Sequence, residues 1–211
     1  MNNPHILGTE HIGKLLVQYS IPAIISMTIV SLYNIIDSIF IGHGVGPMAI
    51  AGLAITFPLM NLAAAFCNLV SAGGSTISSI RLGQKDMEGV NKVLGNTLML
   101  CLINAVVFGG LAFIFLDAIL RFFGASGETL PYARDFMQVI LLGSPITYTM
   151  IGLNHIMRAT GHPKKAMLTS LTTVVCNIII APIFIFQFGW GIRGAALATV
   201  ISQFIGMLWV L

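Results

Sequence analysis

The sequence predicts an all-α membrane protein built from six transmembrane helices. Three observations carry that prediction. The 211-residue chain is 56% hydrophobic and only 8% charged, where soluble domains carry about 25% charged residues, so a soluble core of this size could not hide so much apolar surface. Several runs exceed the ~18 apolar residues that mark a bilayer-spanning helix. The connections between runs are all short, with no low-complexity tract and no stretch that reads as a soluble domain.

Each span follows from its run. The first covers 15–41, is interrupted by Pro22, and ends in YNIIDSIFI with an aspartate inside it. The second covers 48–80, about 50 Å if wholly helical, and closes on the small-residue stretch SAGGSTISS (71–79). Such residues let neighbouring helices approach closely, and a packing role is the simplest reading. The third and fourth spans are 93–116 and 136–157, and the fifth is 166–188, interrupted by Pro182. The sixth starts at Gly194 and is still apolar at Leu211. Eighteen residues give about 27 Å of helix against a hydrocarbon core of about 30 Å, so residues 1–211 are expected to be part of a longer transporter. The polar start, MNNPHILGTEH, reads as no removable leader.

Charge placement sets the expected orientation. Lys14, Arg81, Lys85, Lys92, Arg158, Lys164 and Lys165 fall on one side of the membrane; Arg121, Arg134 and Arg193 fall on the other. The richer side is cytoplasmic by the positive-inside rule. The expectation is a multi-pass protein of the cytoplasmic (inner) cell membrane with its amino terminus inside and Asp37 in the outer half of the first span. The net charge of +3 is too small to suggest a nucleic-acid partner.

Asp37 is the first candidate for function, being the one acid between Glu10 and Asp86. A carboxylate facing lipid is costly, so an intramembrane acid normally faces a bundle interior or a wet cavity. Helical spacing puts Tyr33 (i−4) and Asn34 (i−3) beside it, with Ser26 three turns back. The pattern fits a cation or proton site; the alternative is a structural hydrogen bond to a neighbouring helix. By depth along their spans, Thr199 and, deeper, Asn177 can line the same cavity, whereas Asn154 lies near the cytoplasmic end of the fourth span and reads as a packing residue. Cys67, Cys101 and Cys176 sit singly in apolar runs and read as small buried side chains. No paired intramembrane carboxylates, nucleophile motif, zinc motif or phosphate-cradling loop is present, so neither an enzyme nor direct ATP use is expected, and no cofactor beyond a coupling ion.

Five stretches in order, IPAIISMTIVSLYNIIDSIFIGHG (21–44), RLGQKDMEGVNKVLGN (81–96), FFGASGETLPYARDF (122–136), RATGHPKKAM (158–167) and GIRGAALATVISQ (191–203), resemble the multidrug and toxin extrusion (MATE) family. The resemblance covers nearly the whole chain from about Ile12. It implies one six-helix lobe, the amino-terminal one spanning 1–211, of a twelve-helix, two-lobe transporter whose carboxy-terminal lobe is absent. It further implies an antiporter that exports cationic, amphipathic small molecules in exchange for protons or sodium, working in the lipid bilayer with the missing lobe or a second copy. Asp37 then corresponds to the coupling aspartate and a candidate sodium ligand, Tyr33 to the tyrosine one turn before it, Asn177 to the fifth-span asparagine and Thr199 to the sixth-span threonine. One departure matters: many members carry an acid just before the fifth-span proline, where this chain has Ala181 in NIIIAP. That leaves a sodium site one charge short and shifts the expectation toward protons. Two rivals stand beside this reading: a lipid-linked oligosaccharide flippase of the same superfamily, which would want Lys or Arg inside the spans, and a truncated chain that transports nothing.

Overall fold

The structure, a computed structural model, describes residues 11–210. The polar first ten residues, the Lys14 side chain and Leu211, on which the expectations about a leader, the orientation and the chain end partly rest, lie outside the described residues. The chain folds as α1 (Ile12–Gly44), α2 (Pro47–Gly83), α3 (Met87–Ile114), α4 (Leu116–Phe122), α5 (Leu130–Ala159), α6 (Pro163–Pro182) and α7 (Gly191–Val210). All but α4 are long and apolar enough to cross a membrane by length and composition. No strand occurs among the described residues. The predicted fold class is the observed one.

Local chemistry sets the helix ends. Asp86 caps α3 by accepting a 2.8 Å hydrogen bond from the Gly89 amide, satisfying one of the donors a helix start leaves unpaired. Gly46, at φ 115°, makes the sharp turn from α1 into α2. The chain therefore turns at Val45, between α3 and α5, and between α6 and α7 at one end of the bundle, called here the Val45 end, and at Gln84 and Thr160–His162 at the other.

Several boundaries differ from the expectation, among them the start of the third span, at Met87 rather than residue 93, because Glu88 and Lys92 kept its first turns out of the apolar run. The third span breaks at Phe115 and a separate seven-residue helix, α4, follows. Apolar content alone missed this because 110–120 is greasy on both sides of the break. The fourth span, α5, starts at Leu130 rather than Phe136, since its first turns carry Arg134 and Asp135 at the edge of the bundle and fall outside an apolar run. Pro182, expected to interrupt its helix, is followed by a wider turn instead: the Phe188 amide bonds the Ile183 carbonyl at 3.0 Å, five residues back. A proline has no N–H for the regular ladder, and wider turns of this kind re-use the freed groups.

α5 is the central helix, packed against α2, α3 and α7. Toward the Val45 end the core gathers Leu53 and Leu59 of α2, Leu116 and Leu120 of α4, Phe136, Met137 and Leu141 of α5, and Ala195, Ala196 and Ala198 of α7. A smaller cluster deeper in the bundle holds Cys67, Cys101, Ala105 and Tyr148. Cys67 and Cys101 are buried as expected, while Cys176 is half-buried. The SAGGSTISS stretch packs: Ser71, Gly74 and Ser78 are buried, and Gly74 abuts Thr97 of α3. α7 comes close to the wide turn after α6 at Gly194, where an added Cβ would lie 2.9 Å from the Phe184 carbonyl oxygen.

α1 reverses the pattern of a soluble amphipathic helix. Its buried residues are Pro22, Ser26, Asp37 and Ile41, while Ile21, Ile24, Ile25, Met27, Leu32, Ile35 and Ile39 are exposed. A helix that turns its polar stripe inward and its apolar side chains outward is arranged for a lipid surround. That inward stripe packs chiefly on α6, with α7 beside it.

Candidate functional site

Three helices bring the sequence-selected residues together at the Val45 half of the bundle. α1 supplies Tyr33 and Asp37, one helical turn apart; α6 supplies Asn177; α7 supplies Thr199. The Tyr33 hydroxyl lies 3.0 Å from Thr199 Oγ1, and Asn177 Nδ2 donates to the same oxygen at 3.2 Å. Thr199 Oγ1 donates in turn to the Ala195 carbonyl at 3.1 Å, one turn back on its own helix. A threonine hydroxyl has a single proton and two lone pairs. With that proton on Ala195, Tyr33 must be the donor in its bond to Thr199, and both lone pairs of Thr199 are taken.

This assignment isolates Asp37. Tyr33, the nearest hydroxyl by helical spacing, spends its proton on Thr199. The Asp37 side chain is 7% exposed, and its Oδ1 is buried with no hydrogen-bond partner among the described residues. A buried carboxylate oxygen without a donor is expensive, so the site is poised to take a proton or a cation. Three hydroxyls share its condition among the described residues: Ser26 on α1, Ser202 on α7 and, toward the Gln84 end, Ser78 on α2 are buried with unpartnered Oγ atoms. Ser202 follows Thr199 by three residues, one turn deeper on the same face. Ala181, where a second acid would stand, is fully buried.

Asn34 departs from the expectation. It is exposed and lines, with Ser38 and His43 of α1 and Pro47, Ile50 and Phe57 of α2, an open groove of about 660 Å³. Most of the groove's α1 lining is turned well away from Asp37, and Asn34, about 60° from it around the helix, stands exposed at the groove's edge rather than buried with the carboxylate. Asn154 lies apart too: its Nδ2 donates to the Ala166 carbonyl at 3.0 Å, tying α5 to α6 near the Gln84 end. The sequence reading passed over Ser202 and the hydrogen bond from Thr147 of α5 to Gln203 of α7. Ser202 was findable, standing at i+3 from Thr199; Thr147 was not, since only folding brings it to Gln203.

Among the described residues, no group of three His, Cys, Asp or Glu side chains is placed to hold a metal ion. Both lone pairs of Thr199 Oγ1 being occupied by Tyr33 and Asn177, that hydroxyl has none left to offer a monovalent cation.

The model of the MatE family matches residues 22–183. The multidrug export protein MepA of Staphylococcus haemolyticus is 32% identical over 197 residues, which cover 93% of this chain and 44% of that protein. A crystal structure of MATE in the straight conformation superposes with a TM-score of 0.90 at 31% identity, covering 100% of this chain and 46% of the other. A MOP superfamily transporter from Pyrococcus furiosus, whose binding pocket of reverse polarity suggests a different function, superposes with a TM-score of 0.92 at 31% identity, covering 100% of this chain and 46% of its own. The chain thus spans a little under half the length of the relatives it matches.

Proposed function

The chain belongs to the MatE family, and from that premise we propose that it is the amino-terminal lobe of a secondary active multidrug efflux antiporter in which Asp37 carries the coupling ion. Its multi-pass helical fold and its multidrug-export relatives support the transporter class. The observation that carries the ion assignment is the buried, unpartnered Oδ1 of Asp37, one turn from Tyr33, whose hydroxyl is engaged with Thr199 together with Asn177.

In the proposed mechanism the lobe rocks against its missing partner around a cavity at the Val45 end, which faces outward. An entering ion neutralises Asp37, removes the cost of drying a charged cavity, and favours drug release outward. Each charge carried inward contributes about 2.3 kcal/mol per 100 mV of membrane potential. Protons are the favoured ion, because Ala181 replaces the second carboxylate and Thr199 has no free lone pair to offer sodium. The open groove beside Asn34 and Ser38 is of drug-binding size and mostly apolar, which supports amphipathic substrates. Catalysis forms no part of this reading.

The second reading is the lipid-linked oligosaccharide flippase of the same superfamily, and the likeness to a Pyrococcus furiosus transporter whose pocket polarity suggests a different function makes that reading worth testing. Against it, the lobe's inward-facing ionisable group in mid-helix is an acid, and the described arginines stand near helix ends, at Arg81, Arg121, Arg134, Arg158 and Arg193. The deciding experiment joins this chain to a carboxy-terminal MATE lobe and measures ethidium efflux from vesicles under an imposed proton or sodium gradient. The proposal expects gradient-driven efflux that Asp37→Asn abolishes. The chain alone is expected to transport nothing unless two copies associate. Undiminished efflux in the Asp37→Asn protein would sink the proposal.

A further inference from the structure

At the Val45 end, on the far side of the bundle from α1, two adjoining pockets differ sharply in chemistry. One, of about 530 Å³, is lined only by apolar residues of α2, α3 and the segment around α4, among them Leu62, Phe66, Phe108 and Phe122. It runs about 10 Å along α3 from Phe108 to Phe115. The other, of about 340 Å³, is lined by Asp117, Arg134 and Gln138 together with the turn from α3 into α4. Phe115 and Ala118 line both. The pair therefore forms one amphipathic site, polar where the apolar spans stop and greasy along them.

The polar half is a matched pair of opposite charges with capacity to spare. Arg134 Nε lies 3.3 Å from Asp117 Oδ1, and the two side chains remain 51% and 46% exposed. A guanidinium has five N–H groups and a carboxylate about four acceptor positions, so each keeps most of its hydrogen-bonding capacity. Gln138 stands one turn below Arg134 with a further amide. Arg193 and Asp135 nearby form a separate pair at 2.7 Å and take no part.

We propose that this site binds a diacyl phospholipid of the phosphatidylethanolamine class from the leaflet at the Val45 end. The phosphate sits on the free N–H groups of Arg134, the primary ammonium on the Asp117 carboxylate, and one acyl chain lies in the groove floored by Phe66 and Phe108. The charge order selects the headgroup. A choline has no N–H to give Asp117, and a glycerol headgroup leaves a net anion beside that carboxylate. This lipid site lies outside the Asp37 cluster and does not depend on the transport reading.

The test titrates the purified 211-residue chain in mild detergent with phosphatidylethanolamine, phosphatidylcholine and phosphatidylglycerol of identical acyl chains, and reads bound lipid by native mass spectrometry. Phosphatidylethanolamine is expected to bind about tenfold more tightly than phosphatidylcholine, the worth of one charge-assisted hydrogen bond. Asp117→Asn should erase that preference while leaving binding. Arg134→Gln should weaken all three lipids, and Arg134→Lys, which keeps the cation and controls for folding, should retain them. Leu62→Trp, filling the groove from an exposed position, should weaken binding without reordering the headgroups. Equal affinity for the three lipids, a preference for phosphatidylglycerol, or variants that change nothing would overturn the proposal.

Discussion

Replacing Thr199 by valine isolates what the shared hydroxyl does. Valine keeps the shape but removes the oxygen on which Tyr33 and Asn177 converge. Two donors then lose their acceptor, at about 1–3 kcal/mol each if they stay unpaired. Hydrogen bonds between membrane helices average only about 0.6 kcal/mol, however, because freed groups find new partners. The unpartnered Asp37 Oδ1 is the acceptor at hand, one turn from Tyr33. The structure therefore predicts a small loss of stability, about 1 kcal/mol, and a larger effect on coupling. A new charge-assisted bond to the carboxylate is worth about 1.5–3 kcal/mol and competes with the coupling ion. The ion activity that half-saturates efflux should then rise about tenfold to a hundredfold. The assay is ethidium efflux from proteoliposomes holding the chain joined to a carboxy-terminal lobe, measured across a series of proton or sodium gradients. A folded Thr199→Val protein with an unchanged half-saturation point would refute the reasoning.

Three further outcomes follow from packing and caps. Gly194→Val should lower the melting temperature in detergent by several degrees, since its Cβ would meet the Phe184 carbonyl at 2.9 Å and overpacking costs about 1–3 kcal/mol; a melting point equal to that of the parent would contradict the close approach of α7 to the turn after Pro182. Asp86→Ala removes the cap of α3 and should cost about 1 kcal/mol, read as a modest fall in melting temperature, whereas Asp86→Asn, which keeps a side-chain oxygen, should recover most of it. A membrane-permeant maleimide should label half-buried Cys176 before Cys67 and Cys101, which are fully buried; mass spectrometry showing Cys67 or Cys101 modified first would place the α2–α3 packing in error.

Much of the architecture was legible because lipid imposes a simple rule: a span must be long, apolar and helical. The six long helices follow from that rule, and Tyr33, Asp37, Asn177 and Thr199 were selected with the help of depth along those helices. Hydrogen-bond direction was not legible. Depth places Thr199 near Asp37, but only the bond from Thr199 to Ala195 shows that its proton is spent and that Tyr33 must donate to it. Asn34 was assigned to the Asp37 face because i−3 and i−4 neighbours both lie close; the packing of α1 on α6 then decided between them. α4 escaped because its apolar residues continue the greasy run of the third span, with nothing polar at Phe115 to mark the break. The Asp117–Arg134 pair joins residues 17 positions apart across that helix and belongs to tertiary structure alone.

The central claim is that Asp37 holds the ion that drug binding displaces. Its most direct measurement is proton release on drug addition, followed with an indicator dye in weakly buffered detergent solution, for the chain joined to a carboxy-terminal MATE lobe. The account predicts that ethidium releases protons from the parent protein and none from a folded Asp37→Asn variant. Equal release from the two proteins, or no release from the parent at any pH, would contradict it.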